Sequence, residues 1–531
     1  MKRLVSGLEA AGRSLLIYIA LSAGFLAMGM LRASRDLVHA FDTGIYLQIL
    51  AELKTSWAAS GWSGLLVWPS SITGEANFLA HHFQPVVALI IPFYSFFPET
   101  EVLFFVSWLS CGAAAVILGM RSAALRAAVA PGQGPVGFSA DAVGPIFLCL
   151  FPAFAARLYF GFAPDVMAIP AFVVQGIVLN SLAKKGAGAL LFPPREDQIW
   201  SGGLSFGVGS VLLFILAQIW AGSCKEVFWI INAWAALVLA LRLNGVTQHR
   251  KAVVVGAWAV FQIGFFLWLF TRWMPAHSSH DAYYGLNYID FKLTALLQAN
   301  WSAIIELLFA TGFFAILFRP TWTFLLCLPG LAIVVLARFG QIQSPTAIYP
   351  LAFAPFFAVI LTDNMALLSG WRQRLTRLFA VAAIAGGLIL QAPLFLRSVT
   401  PAFSKSAKAL QMDLAMARKG IPANAYLLVD GNLQPAFHEW RDVRVILGFI
   451  GNPAPLKAAD FKRATDVLTM FDLDQLKSCD EVQPDGTDDW AARGVPFHDY
   501  AGFQRFCEWL RAVPRQKQVF SDSGLVHYHL N

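Results

Sequence analysis

The sequence predicts a polytopic helical membrane bundle followed by a small α/β domain. Three observations lead there. The chain is 57% hydrophobic and only 13% charged, with a mean hydropathy of +0.60, whereas soluble domains carry about 25% charged residues. Eleven apolar stretches of roughly spanning length lie between residues 15 and 396. From about residue 399 the composition turns polar, and helix and strand patterns alternate. The expected division is therefore a transmembrane domain over 1–398 and an extracytoplasmic α/β domain over 399–531. The net charge of +7 and pI of about 9.1 do not indicate nucleic acid. The basic residues sit in short loops between apolar spans, where they set topology.

The expected spans are 15–31, 101–120, 142–160, 165–183, 205–221, 225–243, 253–273, 302–318, 321–338, 347–363 and 376–396. The first follows Lys2, Arg3 and Arg13 and resembles a signal segment. It is long enough to span and no small-x-small site follows it, so it reads as a retained helix. Residues 84–97 are apolar but short, and Pro92 interrupts them; they read as a helix lying in the interface or re-entering the membrane.

With the N-terminus inside, every inner loop is basic: Arg121 and Arg126; Lys184, Lys185 and Arg195; Arg242, Arg250 and Lys251; Arg319; Arg372, Arg374 and Arg377. The outer loops are poorer in Lys and Arg, which gives a cytoplasmic N-terminus and a periplasmic C-terminal domain in a bacterial inner membrane. Counting 84–97 as a twelfth span would put the basic clusters outside. In the C-terminal region 424–430 and 443–447 read as strands, 518–530 as a last strand or hairpin, and 404–418, 457–470 and 500–511 as helices. Cys111, Cys149, Cys224 and Cys327 lie in or beside apolar spans and read as small hydrophobes. Cys479 and Cys507 are the only pair in the polar region and can form a disulfide if it is extracytoplasmic.

Polar groups gather in the outer loops. Asp42, in Phe41-Asp42-Thr43-Gly44-Ile45, precedes an amphipathic run with Ile45, Tyr46, Ile49, Leu50 and Leu53 on one face. It reads either as a helix N-cap or as a carboxylate base or metal ligand where water meets lipid. His81 and His82 are adjacent, so they point in different directions and are poorly placed to share one metal. Either can orient a phosphate or a substrate, or be an interfacial histidine without a ligand.

Lys225 and Glu226 sit in a minimal loop between two spans, where charges are paired or functional. Separate partners are expected, a phosphate for Lys225 and a neighbouring helix for Glu226. Asp165 starts a span, where the helix dipole favours it. Arg338 is a second phosphate candidate and Arg157 and Arg272 are others; snorkelling also explains each of them. No P-loop, GxSxG elbow or zinc-spaced cluster is present, and no repeat supports a transporter built from duplicated halves.

The order of these motifs resembles a prokaryotic family of polytopic membrane proteins, domain of unknown function family 2079. Phe41-Asp42-Thr43-Gly44-Ile45 is similar to its Phe-Asp-x-Gly-Ile signature, and Ala80-His81-His82-Phe83-Gln84-Pro85 to its Gly-Asp-His-Phe-Ser-Pro element. Ala163-Pro164-Asp165 stands where the family tends to have His-Pro-Glu, and Lys225-Glu226-Val227 where it tends to have Lys-Glu-Asp. Ile348-Tyr349-Pro350 resembles its tyrosine-containing segment before a late span. The family in turn resembles the GT-C glycosyltransferases, with a long first outer loop, an acidic residue in it and a polyprenyl-phosphate sugar donor.

The resemblance implies transfer of a sugar from a polyprenyl-phosphate donor to a glycan, lipid or protein acceptor on the periplasmic face. Asp42 would be the base. Lys225 and Arg338 would hold the phosphate, His82 would position it, and His81, Asp165, Glu226 and Tyr349 would contact substrate. A divalent cation, Mg2+ or Mn2+, is compatible with Asp42. The departures at His81, Ala163 and Val227 remove family side chains and weaken a metal site. The rival readings are a transporter or flippase of lipid-linked sugars, which should show charges midway along spans, and a non-catalytic envelope assembly or sensor protein.

Overall fold

The computed structural model describes residues 2–34, 41–66, 68–71, 77–97, 99–129, 139–181, 207–245, 247–277, 301–310, 322–336, 349–368, 370–403, 405–429, 433–440, 442–446, 458–469, 472, 474, 500–520 and 523–530. Each stretch expected to span carries helix over its described residues. In order these are α1 (Lys2–Ala33), then α2 (Phe41–Ser60) and α3 (Ile91–Phe96) in the first long loop, and α4 (Glu101–Val129), α5 (Ser139–Leu150), α6 (Pro152–Tyr159) and α7 (Ile169–Asn180). Next come α8 (Val208–Cys224), α9 (Phe228–Gly245) and α10 (His249–Trp268), and then helices Trp301–Ala310, Trp322–Val335, Ala354–Leu367 and Gly370–Val399.

Among the described residues five helices are long and apolar enough to cross a membrane, or six if α5 and α6 form one span bent by 61°. Four of the other expected spans are apolar but shorter, such as Val208–Cys224. At about 1.5 Å per residue, 17 residues reach about 26 Å, just short of the ~30 Å hydrocarbon core. The expected count of eleven is therefore not established. The break after α5 falls at Pro152, which has no N–H to continue the helix.

The helices run between two ends of the bundle. At one, Arg121 Nε and Nη2 donate to the two carboxylate oxygens of Asp363, each at 3.0 Å. Asn180 donates to Asp363 Oδ2 at 2.9 Å and Arg121 Nη1 to the Ser181 hydroxyl at 3.1 Å. This end had read as merely basic; instead Arg121 belongs to a buried, hydrogen-bonded ion pair. Midway, Gln175 on α7, Gln218 on α8, Asn232 on α9 and Gln262 on α10 are buried and hydrogen-bonded to one another, tying four helices together.

The opposite end, here the site end, carries the long first loop and the C-terminal region. α2 begins at Phe41, so Asp42 lies in its first turn rather than capping it from outside. The expectation of one apolar face also needs correction. Residues 43–50 are all buried, because α2 is packed on several sides. Thr43 Oγ1 accepts from Phe162 N at 3.0 Å, fixing α2 to the loop after α6. Residues 84–97 form a 3-10 turn and then α3, an apolar helix too short to span.

The C-terminal region holds a five-stranded mixed sheet of order β2–β1–β3–β5–β4. The strands are β1 (Leu427–Val429), β2 (Val443–Val445), β3 (Asp466–Thr469), β4 (Arg515–Phe520) and β5 (Leu525–Leu530). β1 lies parallel to β2 and β3, while β5 runs antiparallel to β3 and to β4. The expected helix over 457–470 is only Ala458–Arg463, and the strand β3 follows it. There Val467, Leu468 and Thr469 are buried on the sheet rather than on a helix face. Cys507 is disulfide-bonded. Its expected partner, Cys479, lies outside the described residues, and Cys111, Cys149, Cys224 and Cys327 are free.

The sheet docks on the first loop through polar contacts. The Ser71 hydroxyl donates to Val443 O at 3.0 Å and accepts from Val443 N at 3.1 Å. Arg444 Nη1 donates to Ser71 O at 3.0 Å, and Gln48 on α2 donates to Ser71 Oγ at 2.6 Å. The edge strand β2 thus has its exposed backbone groups satisfied by a loop residue.

Candidate functional site

Two short connections at the site end bring charges together. A 3-10 turn, Pro164–Ala168, precedes α7 and carries Asp165. Three residues join α8 to α9, among them Lys225 and Glu226. Lys225 Nζ sits 2.8 Å from Asp165 Oδ1, and the two side chains are 11% and 3% exposed. The ring of Tyr349 lies 5.2 Å from the ammonium, within cation–π range. Burial works against the charge on Lys225. The carboxylate of Asp165 more than offsets it, helped by Tyr349 and Glu226, and holds the lysine above its ordinary pKa.

Beside this pair, His82 Nδ1 is 3.2 Å from Glu226 Oε1, with the carboxylate buried and the histidine about one-third exposed. His81 is buried and its ring packs edge-on against His82 with centroids 4.6 Å apart. Phe78 touches both rings. Tyr46 on α2 donates to Gln84 Oε1 at 2.6 Å and packs against Phe78 and Phe162. The turn with His81 and His82 is thereby clamped between α2 and the loop after α6.

Lys225 and Glu226 do take separate partners, as adjacent residues must. Glu226 pairs with His82, a histidine of the first loop. The partner of Lys225 is Asp165, which the sequence had left unpaired. Asp42 starts the helix that Thr43 anchors here; its side chain and Arg338 lie outside the described residues.

The chain matches the family described as "Predicted membrane protein (DUF2079)" over residues 33–452. It belongs to that family. The match covers the bundle, the first loop and the start of the C-terminal sheet. This DUF2079 protein has no match among curated proteins. Two crystal structures of ArnT from Cupriavidus metallidurans are similar in fold. One, bound to undecaprenyl phosphate, is 13% identical and aligns over 86% of this chain and 92% of that one, with TM-score 0.46. The other, in the apo state, is 11% identical over 90% and 94%, with TM-score 0.45.

Asp42, the residue expected to be compatible with a divalent cation, has its side chain outside the described residues. Among the described residues no group of three or more His, Cys, Asp or Glu side chains is arranged to hold a metal. Asp165 already faces an ammonium and Glu226 a histidine. What the site offers is a buried cation, a carboxylate–histidine pair and aromatic walls.

Proposed function

We propose that this protein is a GT-C-type glycosyltransferase that uses a polyprenyl-phosphate-linked sugar on the periplasmic face of the inner membrane. The observation that carries the reading is the gathering of Asp165, Lys225, Tyr349, His82 and Glu226 from four separate segments around the anchored start of α2. The motif resemblance to GT-C enzymes supplies the reaction class.

In the proposed step an acceptor hydroxyl attacks the anomeric carbon of the sugar. The new carbon–oxygen bond forms as the bond to the phosphate oxygen breaks. The electron pair leaves on polyprenyl phosphate, an anion that needs cations more than a strong acid. The acceptor proton goes to Asp42 as general base. Lys225, with Arg338, meets the phosphate. An ammonium has three donors, so its contact with Asp165 leaves capacity for a substrate oxygen. His82, held by Glu226, positions the phosphate, while Asp165, Glu226, His81 and Tyr349 line the sugar side. No step is assigned to a metal.

The test offers the purified full chain in nanodiscs a panel of polyprenyl-phosphate-linked sugars and measures released polyprenyl phosphate. Asp42→Asn keeps the shape and N-terminal helix compatibility of the side chain but removes its basicity. Release should fall about 100-fold or more with expression and melting temperature unchanged. Full activity in Asp42→Asn would eliminate Asp42 as the base.

A further inference from the structure

The site end also carries a helix that the proposed chemistry does not use. Helix Lys405–Gly420 leaves the last span, Gly370–Val399, after one 3-10 turn, Thr400–Phe403. Leu410, Leu414 and Ala417, spaced four and three apart, form its buried stripe, and it packs on β5. Midway along it, Gln411 Nε2 donates to the carbonyl oxygen of Ser34 at 2.8 Å. Ser34 directly follows α1, a helix long and apolar enough to cross a membrane. The helix is thus tied at its start to one such membrane-crossing helix and at its middle to the end of another.

Its other face is exposed and mixed in character. Lys408, Met412, Met416 and Lys419 recur at intervals of four, four and three and are all exposed. The two methionines are 58% and 51% exposed, and Phe403, in the turn before the helix, is exposed as well. The helix holds four basic residues, Lys405, Lys408, Arg418 and Lys419, against one acidic residue, Asp413. Apolar side chains lined up between lysines are the pattern of a helix lying in the headgroup layer of a bilayer. The methionines then enter the acyl boundary, while the lysine stems lie along it and keep their ammonium groups at the level of the phosphates. The placement agrees with this. Met412 follows Gln411 directly, so the stripe runs beside the residue bound to the end of α1.

We propose that helix Lys405–Gly420 docks the face of Met412 and Met416 on the membrane surface, with Lys408 and Lys419 holding the phosphate groups of anionic lipids. This surface continues the exposed apolar side of the span before it, where Ile389 and Leu396 are exposed. The contact fixes the height of the C-terminal sheet above the bilayer, since β5 packs on the same helix. It involves none of the residues around Lys225 and stands whether or not the glycosyl-transfer reading holds.

The full chain, carrying the photoreactive residue p-benzoylphenylalanine in place of Met412 or Met416, is placed in nanodiscs of equal parts phosphatidylcholine and phosphatidylglycerol. After irradiation, mass spectrometry reads the lipid adducts. Both positions should give adducts, with phosphatidylglycerol enriched about fivefold, the weight of a single lysine near a charged surface. The same label in place of Lys462 sets the background. That residue is exposed on helix Ala458–Arg463, whose Phe461 packs on the opposite face of the sheet. Adding Lys408→Gln and Lys419→Gln should return the adducts to the equal ratio of the bilayer and leave the melting temperature unchanged. No lipid adduct above the Lys462 background, or adducts to a second copy of the chain instead, would overturn the docking. Lipid adducts without enrichment, or an enrichment that survives both lysine substitutions, would overturn the recognition of anionic lipid.

Discussion

Replacing Lys225 with Met removes the ammonium 2.8 Å from Asp165 Oδ1 and leaves a carboxylate only 3% exposed without its counter-ion. An orphaned buried charge costs about 3–5 kcal/mol, and the lost contact with Tyr349 adds about 0.5–2 kcal/mol. Asp165→Asn strands the lysine instead. The double variant, Lys225→Met with Asp165→Asn, strands neither. It should be more stable than the sum of the single losses by about 0.5–3 kcal/mol, the range of coupling between contacting residues. Unfolding of the four proteins in mild detergent, followed by tryptophan fluorescence, gives the cycle. Polyprenyl-phosphate release is measured on the same preparations. The expected outcome is a double variant with recovered stability and no recovered activity, because the charge that meets substrate is missing. Additive single losses would refute the pairing. A stable and fully active double variant would reduce the pair to a structural one. Because the lysine is held above its ordinary value, its contribution is complete below about pH 10.4. It is lost only as the pH rises through the raised folded value, so the cycle should be flat from pH 6 to 9.

Three further outcomes are expected. Non-reducing mass spectrometry of protein from native membranes should find Cys507 linked to Cys479; two free thiols would contradict that pairing. A reporter active only in the periplasm should be active when fused after residue 531 and silent near Lys185, and the reverse would move the site to the cytoplasm. Asp466 lies buried, which works against its charge. His527, His529 and Thr465 more than offset this through hydrogen bonds and hold its pKa below the usual carboxylate value. Its stabilisation is therefore complete above about pH 4 and fades as the pH falls through the lowered folded value. Asp466→Asn should cost about 1–3 kcal/mol at pH 7 and flatten the acid limb of the stability profile read by circular dichroism.

The apolar stretches were legible because spanning helices need long runs of one composition, and each such run carries helix where it is described. Helix Tyr500–Ala512 and the hairpin of β4 and β5 also stand close to where their periodicity placed them. β3 was not legible: its four residues adjoin Ala458–Arg463, and a helical rhythm runs on through both. In the site, Lys225 and Glu226 stood out because charges between two apolar spans are costly. Their partners did not. Asp165 is 60 positions and His82 144 positions away from them, and only the crossing of helices brings them near. The same holds for Arg121 and Asp363, 242 positions apart. Local pattern finds residues that need a partner; packing decides which partner they get.

The docking of β2 on the first loop has a consequence for the order in which the protein is made. Ser71 waits for Val443, 372 positions later, and Gln48 for Trp440, 392 positions later. At about 5–20 residues per second, the ribosome takes on the order of 20–75 s to supply them. During that interval α2 lacks one of the surfaces that bury it, though Thr43 can already hold its start against Phe162. A nascent chain stopped before residue 440 would present a nearly complete bundle with an open, apolar first loop, a target for proteases and holding chaperones. Synthesis thus keeps the proposed catalytic helix unfinished until its last quarter, when β2 arrives to cover it.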